Sequence, residues 1–236
     1  MFTSPDSFWG GLGLESNLDK NIFQLHTKLE FSRIIFWDFD GVIKDSVGVK
    51  TLAFEKLFLP YGTKIAQKVK RHHEANGGVS RFDKIPLYLS WAGEVITDEL
   101  VSNFCNLFSE AVFQSVVESS WVPGVYEYLS NNYPEKYFVL VTATPQLEIE
   151  RILSTLEIDQ YFQQVIGAPT KKTDAIRSVL EKQKVVTDDA LMIGDAVADL
   201  QAAQVNSIPF LLRRTPQNLH LQNRYDGPQF DDLSYE

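Results

Sequence analysis

Short apolar runs alternate along this chain with segments whose apolar residues recur every three or four positions. The runs Arg33–Asp38, Tyr137–Thr142, Gln164–Gly167, Ala190–Gly194 and Ile208–Leu212 read as buried strands. Helical spacing is read over Leu147–Leu156, Thr173–Lys182 and Val197–Gln204. Strands that alternate with helices in this way predict an α/β fold, a Rossmann-like parallel sheet with helices on both faces. About a hundred residues separate the first strand from the second, far more than one crossover needs. The intervening stretch is helical in spacing, as in Leu52, Phe54, Leu57 and Phe58, or Leu100, Phe104, Leu107, Phe108, Val112 and Val116. It is therefore expected to form an inserted α-helical domain over residues 47–118. The core domain would comprise residues 31–46 and 119–236, with Pro123-Gly124 near the return. Residues 1–30 are read as an irregular extension, with a short helix around Ile22–Leu29.

Composition narrows the function. The chain has 236 residues and a formal net charge of −9. Such a balance lacks the basic face that nucleic acid or an anionic membrane requires, so neither is an expected partner. No run approaches the eighteen or more apolar residues of a membrane span, and the N-terminus does not have the pattern of a secretory signal. The lone Cys105 has no partner for an internal disulfide, which makes a reducing cytoplasm the expected location. Gly10-Gly11-Leu12-Gly13 lacks both the preceding strand and the third glycine of a dinucleotide fingerprint.

The first strand runs into Asp38-Phe39-Asp40-Gly41. Residues two apart on a strand point to one side, so Asp38 and Asp40 can face one site at the carboxyl end of the sheet, where open α/β folds bind ligands. Two such carboxylates repel, and a divalent cation with oxygen ligands, Mg²⁺, would compensate. Gly41 lets the backbone approach a ligand closely; it follows the second Asp at once, which rules out the spacing of an EF-hand loop. A second acidic pair, Asp195 and Asp199, closes the strand Ala190–Gly194 and opens a helix, where either could lean on a metal or cap the helix. The strand before Thr142-Ala143 ends in a hydroxyl and exposed backbone N–H groups suited to a phosphate oxygen. Lys171-Lys172 opens a helix, an unfavourable place for a cation unless it holds an anion.

In this order the four segments resemble the haloacid dehalogenase superfamily: D-x-D-G, a strand-ending Thr, a Lys at a helix start, and G-D-x-x-x-D, spread over residues 33–212. The resemblance implies Asp38 as nucleophile and Asp40 as general acid/base. Thr142 would bind the phosphate and Lys172 balance its charge, Lys172 being preferred to Lys171 because it adjoins Thr173-Asp174. Gly41 and Ala143 would contact substrate, and Asp38, Asp40, Asp195 and Asp199 would hold Mg²⁺. It further implies an aspartyl-phosphate intermediate. Dehalogenases of the superfamily lack the second Asp, so Asp40 favours phosphoryl chemistry.

The insert resembles the helical cap of phosphoglycolate-phosphatase-like and β-phosphoglucomutase-like members. Over residues 64–84 of it, Lys64, Lys68, Lys70, Arg71, Arg81 and Lys84 are set against only Glu74 and Asp83, a concentration that suits an anionic substrate. Gly78-Val79-Ser80-Arg81 is similar to the substrate loop of β-phosphoglucomutase, which makes Arg81 and His73 candidate substrate contacts. Adjacent His72 and His73 diverge on a helix and make a poor zinc pair. Mutase-like members commonly carry a histidine where this chain has Lys50, and hydrolysis is therefore the expected reaction. The expected partner is a small phosphorylated metabolite. A phosphosugar mutase and a non-catalytic binding module are the alternatives.

Overall fold

The computed structural model describes residues 25–234. Helix α1, described from residue 25 to 31, leads into strand β1 (Ile34–Trp37); the earlier part of the helix expected around Ile22–Leu29 lies outside the described residues, as does the Gly10–Gly13 cluster. Then come helices α2 (Val47–Phe58), α3 (Thr63–Ala75), α4 (Arg81–Trp91), α5 (Asp98–Glu118) and α6 (Val125–Asn132). The chain returns to the sheet with β2 (Tyr137–Pro145), α7 (Gln146–Thr155), β3 (Gln164–Ala168), α8 (Lys172–Gln183), β4 (Ala190–Gly194), α9 (Val197–Val205) and β5 (Phe210–Arg213). A short α10 (Leu219–Gln222) and a two-residue β6 (Gln229–Phe230) complete it.

All six strands are parallel, in the order β3-β2-β1-β4-β5-β6. β1 sits at the centre, with Ile34 opposite both Tyr137 and Ala190. Alternation along it feeds two apolar layers. Ile34 and Phe36 pack with Val139, Met192 and the inner faces of α8 and α9. Ile35 and Trp37 join a larger cluster that runs without interruption into the inserted helices, through Phe54, Phe58, Phe108 and Val112. Leu25 and Leu29 are buried in that same cluster, so α1 is packed against the core.

The inserted helices have clear local signals. Thr97 accepts a hydrogen bond from the Leu100 N–H at 3.2 Å, and Asp98 and Glu99 occupy the first turn of α5, as the helix dipole favours. Ser80 caps α4 in the same way through Phe82. Among the described residues no helix is long and apolar enough to cross a membrane.

Two strands differ from their sequence reading. β2 continues through Ala143-Thr144-Pro145, because a register shift between Val141 and Pro145 lets Pro145 pair with Ala168 of β3. β5 starts at Phe210 rather than Ile208. β6 has only two residues, too few to show a period.

Candidate active site

The carboxyl ends of β1, β2 and β4 meet the first turns of α8 and α9. Asp38 directly follows β1, and its N–H donates to the Ile193 carbonyl at 3.0 Å, extending the β1–β4 pairing by one residue. Its side chain is buried and accepts from the Phe39 N–H at 2.8 Å. Lys172, the first residue of α8, places Nζ 2.8 Å from Asp38 Oδ1 and 2.5 Å from Asp199 Oδ1. That geometry accounts for a lysine at a helix N-terminus: its long stem carries the charge off the helix and into a cluster of carboxylates. Asp199 also accepts from the Ala196 N–H at 3.0 Å, which closes the start of α9.

Asp38, Asp195 and Asp199 bring one carboxylate oxygen each within 4.8 Å of the others, the one such acidic group of three among the described residues. Burial pushes the Asp38 carboxyl up to about 7, with Asp199 and Asp40 adding to the effect and Lys172 opposing it. Asp195 is raised well above the usual carboxylate range by burial and then by Asp38 and Asp199. Lys172 is the opposite case: burial disfavours its charge, but Asp199 and Asp38 hold it above the ordinary lysine value. One ammonium cannot neutralise three buried carboxylates. An oxygen-ligated divalent cation fits this donor set.

Asp40 is not part of that triad. Burial alone would raise its carboxyl, yet Lys50, Ser46 and Thr144 together hold it below its usual value. Lys50 Nζ lies 2.5 Å from Oδ2, the Ser46 hydroxyl donates to Oδ1 at 2.6 Å, and the Thr144 hydroxyl is 3.2 Å from Oδ2. Lys50 also donates to Thr144 Oγ1 at 2.8 Å. Gly41 is forced by its neighbours. Its φ is +79°, and a Cβ there would sit 2.3 Å from Asp195 Oδ2, so a side chain would intrude on the acidic cluster.

Asp38, Asp40, Thr142, Ala143 and Asp195 line one cavity of about 70 Å³. The inserted helices roof it with Phe54, His73, Arg81, Lys84 and Phe108. The turn before α4 rests on the core beside Asp195: a Cβ on Gly78, at φ +73°, would lie 3.0 Å from Ala198 Cβ. The basic residues of the insert divide into two sets. Lys64, Lys68 and Arg71 are exposed, and Lys70 pairs with Glu55, whereas Arg81 and Lys84 are buried at the cavity. Arg81 already has a carboxylate, since NH1 and NH2 each lie 2.7 Å from an oxygen of Glu148 in α7. Lys171 directly precedes α8 and is exposed; Lys172 is the lysine at the site.

Lys50, Ser46 and Thr144 carried no assignment from sequence. Ser46 and Lys50 are one helical turn apart, and Thr144 follows Thr142 by two residues along β2, so spacing alone could have marked them.

The sequence profile of the haloacid dehalogenase-like hydrolases matches residues 34–212. The chain belongs to this family. This hydrolase is 27% identical over 184 residues to phosphoglycolate phosphatase 1 of Pseudomonas aeruginosa, covering 75% of the chain and 67% of that protein. It is 26% identical over 180 residues to the phosphoglycolate phosphatase of Vibrio parahaemolyticus, covering 73% and 79%. Its fold matches CbbY of Rhodobacter sphaeroides, solved with xylulose-1,5-bisphosphate, at a TM-score of 0.66, 14% identity and coverage of 86% and 95%. It also matches a haloacid dehalogenase-like hydrolase of Streptococcus pneumoniae at a TM-score of 0.58, 18% identity and coverage of 82% and 92%. The hydrolase is an enzyme in the company of phosphatases.

Proposed function

We propose that the chain is a Mg²⁺-dependent phosphatase that hydrolyses a small phosphomonoester, a sugar phosphate or phosphorylated organic acid, through an aspartyl-phosphate. One observation carries this reading: a buried carboxylate, Asp38, contacts a buried ammonium within an acidic triad, and a second carboxylate with its own cation lines the same cavity.

Asp38, Asp195 and Asp199 would hold the cation, which when bound supplies positive charge against the phosphoryl oxygens. Lys172 contributes the fixed charge on the other side of Asp38, aims that carboxylate and opposes the protonation that burial favours. Asp38 attacks phosphorus as the bond to the leaving alcohol breaks. Asp40 relays to the leaving oxygen a proton from the Lys50 ammonium that it contacts. In the second half Asp40 takes a proton from water as the water attacks phosphorus and returns it to Lys50, and inorganic phosphate departs from Asp38. Thr142 and the N–H of Ala143, both residues lining the cavity, would receive the phosphoryl oxygens.

Residues 31–46 and 119–236 act as the catalytic core and residues 47–118 as its cap. The cavity is small and roofed by the inserted helices, which suits a small phosphomonoester. The test is release of inorganic phosphate from p-nitrophenyl phosphate by the purified chain with and without Mg²⁺. Metal-dependent release supports the reading; no release with Mg²⁺ present would refute it.

A further inference from the structure

The three side chains that bond to Asp40 come from two places in the fold. Ser46 and Lys50 lie where the chain leaves β1 for the insert, the one just before α2 and the other within it. Thr144 belongs to the core, in the part of β2 that runs on past Thr142. Its hydroxyl is buried and accepts from Lys50 Nζ at 2.8 Å, which leaves its own hydrogen for Asp40 Oδ2 at 3.2 Å. Lys50, Thr144 and Asp40 thus close a triangle of hydrogen bonds.

The ammonium needs that second acceptor. A lysine carries its charge on a flexible four-carbon stem, and one contact leaves the head free to swing. A like charge stands close by: Lys84 is buried at the same cavity, meets Nδ1 of His73 at 3.1 Å and forms no ion pair with any described carboxylate. Burial first, and then the charge of Lys50, push Lys84 down to about 7. Held by both Asp40 Oδ2 and Thr144 Oγ1, Lys50 is fixed against that repulsion.

Thr144 is itself firmly placed. The register shift between Val141 and Pro145 brings the extension back to β3, and a Cβ on Gly167 there would lie 2.7 Å from the Thr144 carbonyl oxygen. Gln146 accepts from the Gly167 N–H at 2.5 Å and closes the same junction. The Thr144 N–H donates to Thr142 Oγ1 at 3.2 Å. Its backbone therefore serves the phosphate-binding hydroxyl, and its side chain serves Asp40.

We propose that Thr144 is a positioning residue whose hydroxyl seats the Lys50 ammonium on Asp40, so that a proton stands ready for the leaving oxygen when Asp38 attacks phosphorus. The inference rests on the phosphatase reading and adds the residue that governs proton delivery.

Phenyl phosphate and p-nitrophenyl phosphate test it, because they share a ring and differ in how much the leaving oxygen needs a proton. Their kcat/KM values, measured with Mg²⁺, report the step in which that oxygen departs. Thr144→Val keeps the shape of the side chain and the backbone N–H and removes the hydroxyl. It should lower kcat/KM on phenyl phosphate by roughly 10- to 100-fold, and by at least about fivefold more than on p-nitrophenyl phosphate. KM should stay within about threefold, and Thr144→Ser, which restores the hydroxyl, should lie within about threefold of the wild type on both esters. Thr144→Ala, measured in parallel, decides the comparison if the valine variant does not fold. Equal losses on the two esters, or a serine variant as impaired as the valine one, would overturn the inference and leave the phosphatase reading intact. Failure of the wild type to turn over either ester would remove the phosphatase reading, and this inference with it.

Discussion

Lys50 Nζ stands 2.5 Å from Asp40 Oδ2, so the first inserted helix delivers a counter-ion to the carboxylate that ends the D-x-D-G segment. Removing that ammonium lets burial dominate and raises the Asp40 carboxyl. Lys50→Met should therefore lower kcat by roughly 10- to 1000-fold. The acidic limb of the pH–rate profile should shift to higher pH, because Asp40 in its proposed role must be ionised to accept a proton from water. A profile whose acidic limb stays in place would separate Lys50 from Asp40's titration.

Asp38→Asn keeps the shape of the side chain and removes the proposed nucleophile. Turnover should fall by about 1000-fold or more. Circular dichroism should remain that of the wild type, and acid-quenched protein should carry no phosphate after mixing with substrate.

Gly41→Ala places a methyl group against Asp195 at a positive φ. Strain at such a position costs about 1–3 kcal/mol. Loss of stability in urea should accompany a higher Mg²⁺ concentration for half-maximal activity, since the displaced carboxylate belongs to the acidic triad.

Stability should depend on pH through Lys84. The folded chain holds this group near 7 against lysine's usual 10.5. Between those values the unfolded chain binds a proton that the folded chain lacks, so this group makes stability rise with pH. Below about pH 7 both states are protonated and the full cost of the buried charge is present. Lys84→Met should thus stabilise the fold by about 1–4 kcal/mol at pH 6, with the gain shrinking as pH climbs above 7. Urea titrations at pH 6 and pH 9 give the comparison.

Chelation should reveal what balances the acidic triad. Dialysis against EDTA should abolish phosphate release, and added Mg²⁺ should restore it. Thermal unfolding should move to higher temperature as Mg²⁺ is added back, by mass action on the folded state.

The parallel core was legible because β1 to β5 each contain a short apolar run bounded by a turn residue. β1, β3 and β4 fall within a residue or two of their sequence limits, and so do α7, α8 and α9. The approach of Asp38, Lys172, Asp195 and Asp199 was also readable, since all four sit at strand ends or helix starts. Contacts between the insert and the core were less accessible. Arg81 looked like an anion clamp from sequence, but its guanidinium is engaged by Glu148, which is 67 residues away in the chain. Nothing in the local pattern around either residue announces the other. The contact of His73 with Lys84 was hidden for a related reason: sequence marked His73 as a substrate contact and Lys84 as one of a basic group, and only burial separates the two from Lys64, Lys68 and Arg71.

The forked contact of Arg81 with Glu148 joins α4 of the insert to α7 of the core directly beside the cavity. Insert and core are thereby fastened to each other by two charge-assisted hydrogen bonds at the cavity wall, so any widening that separates α4 from α7 must first part this pair.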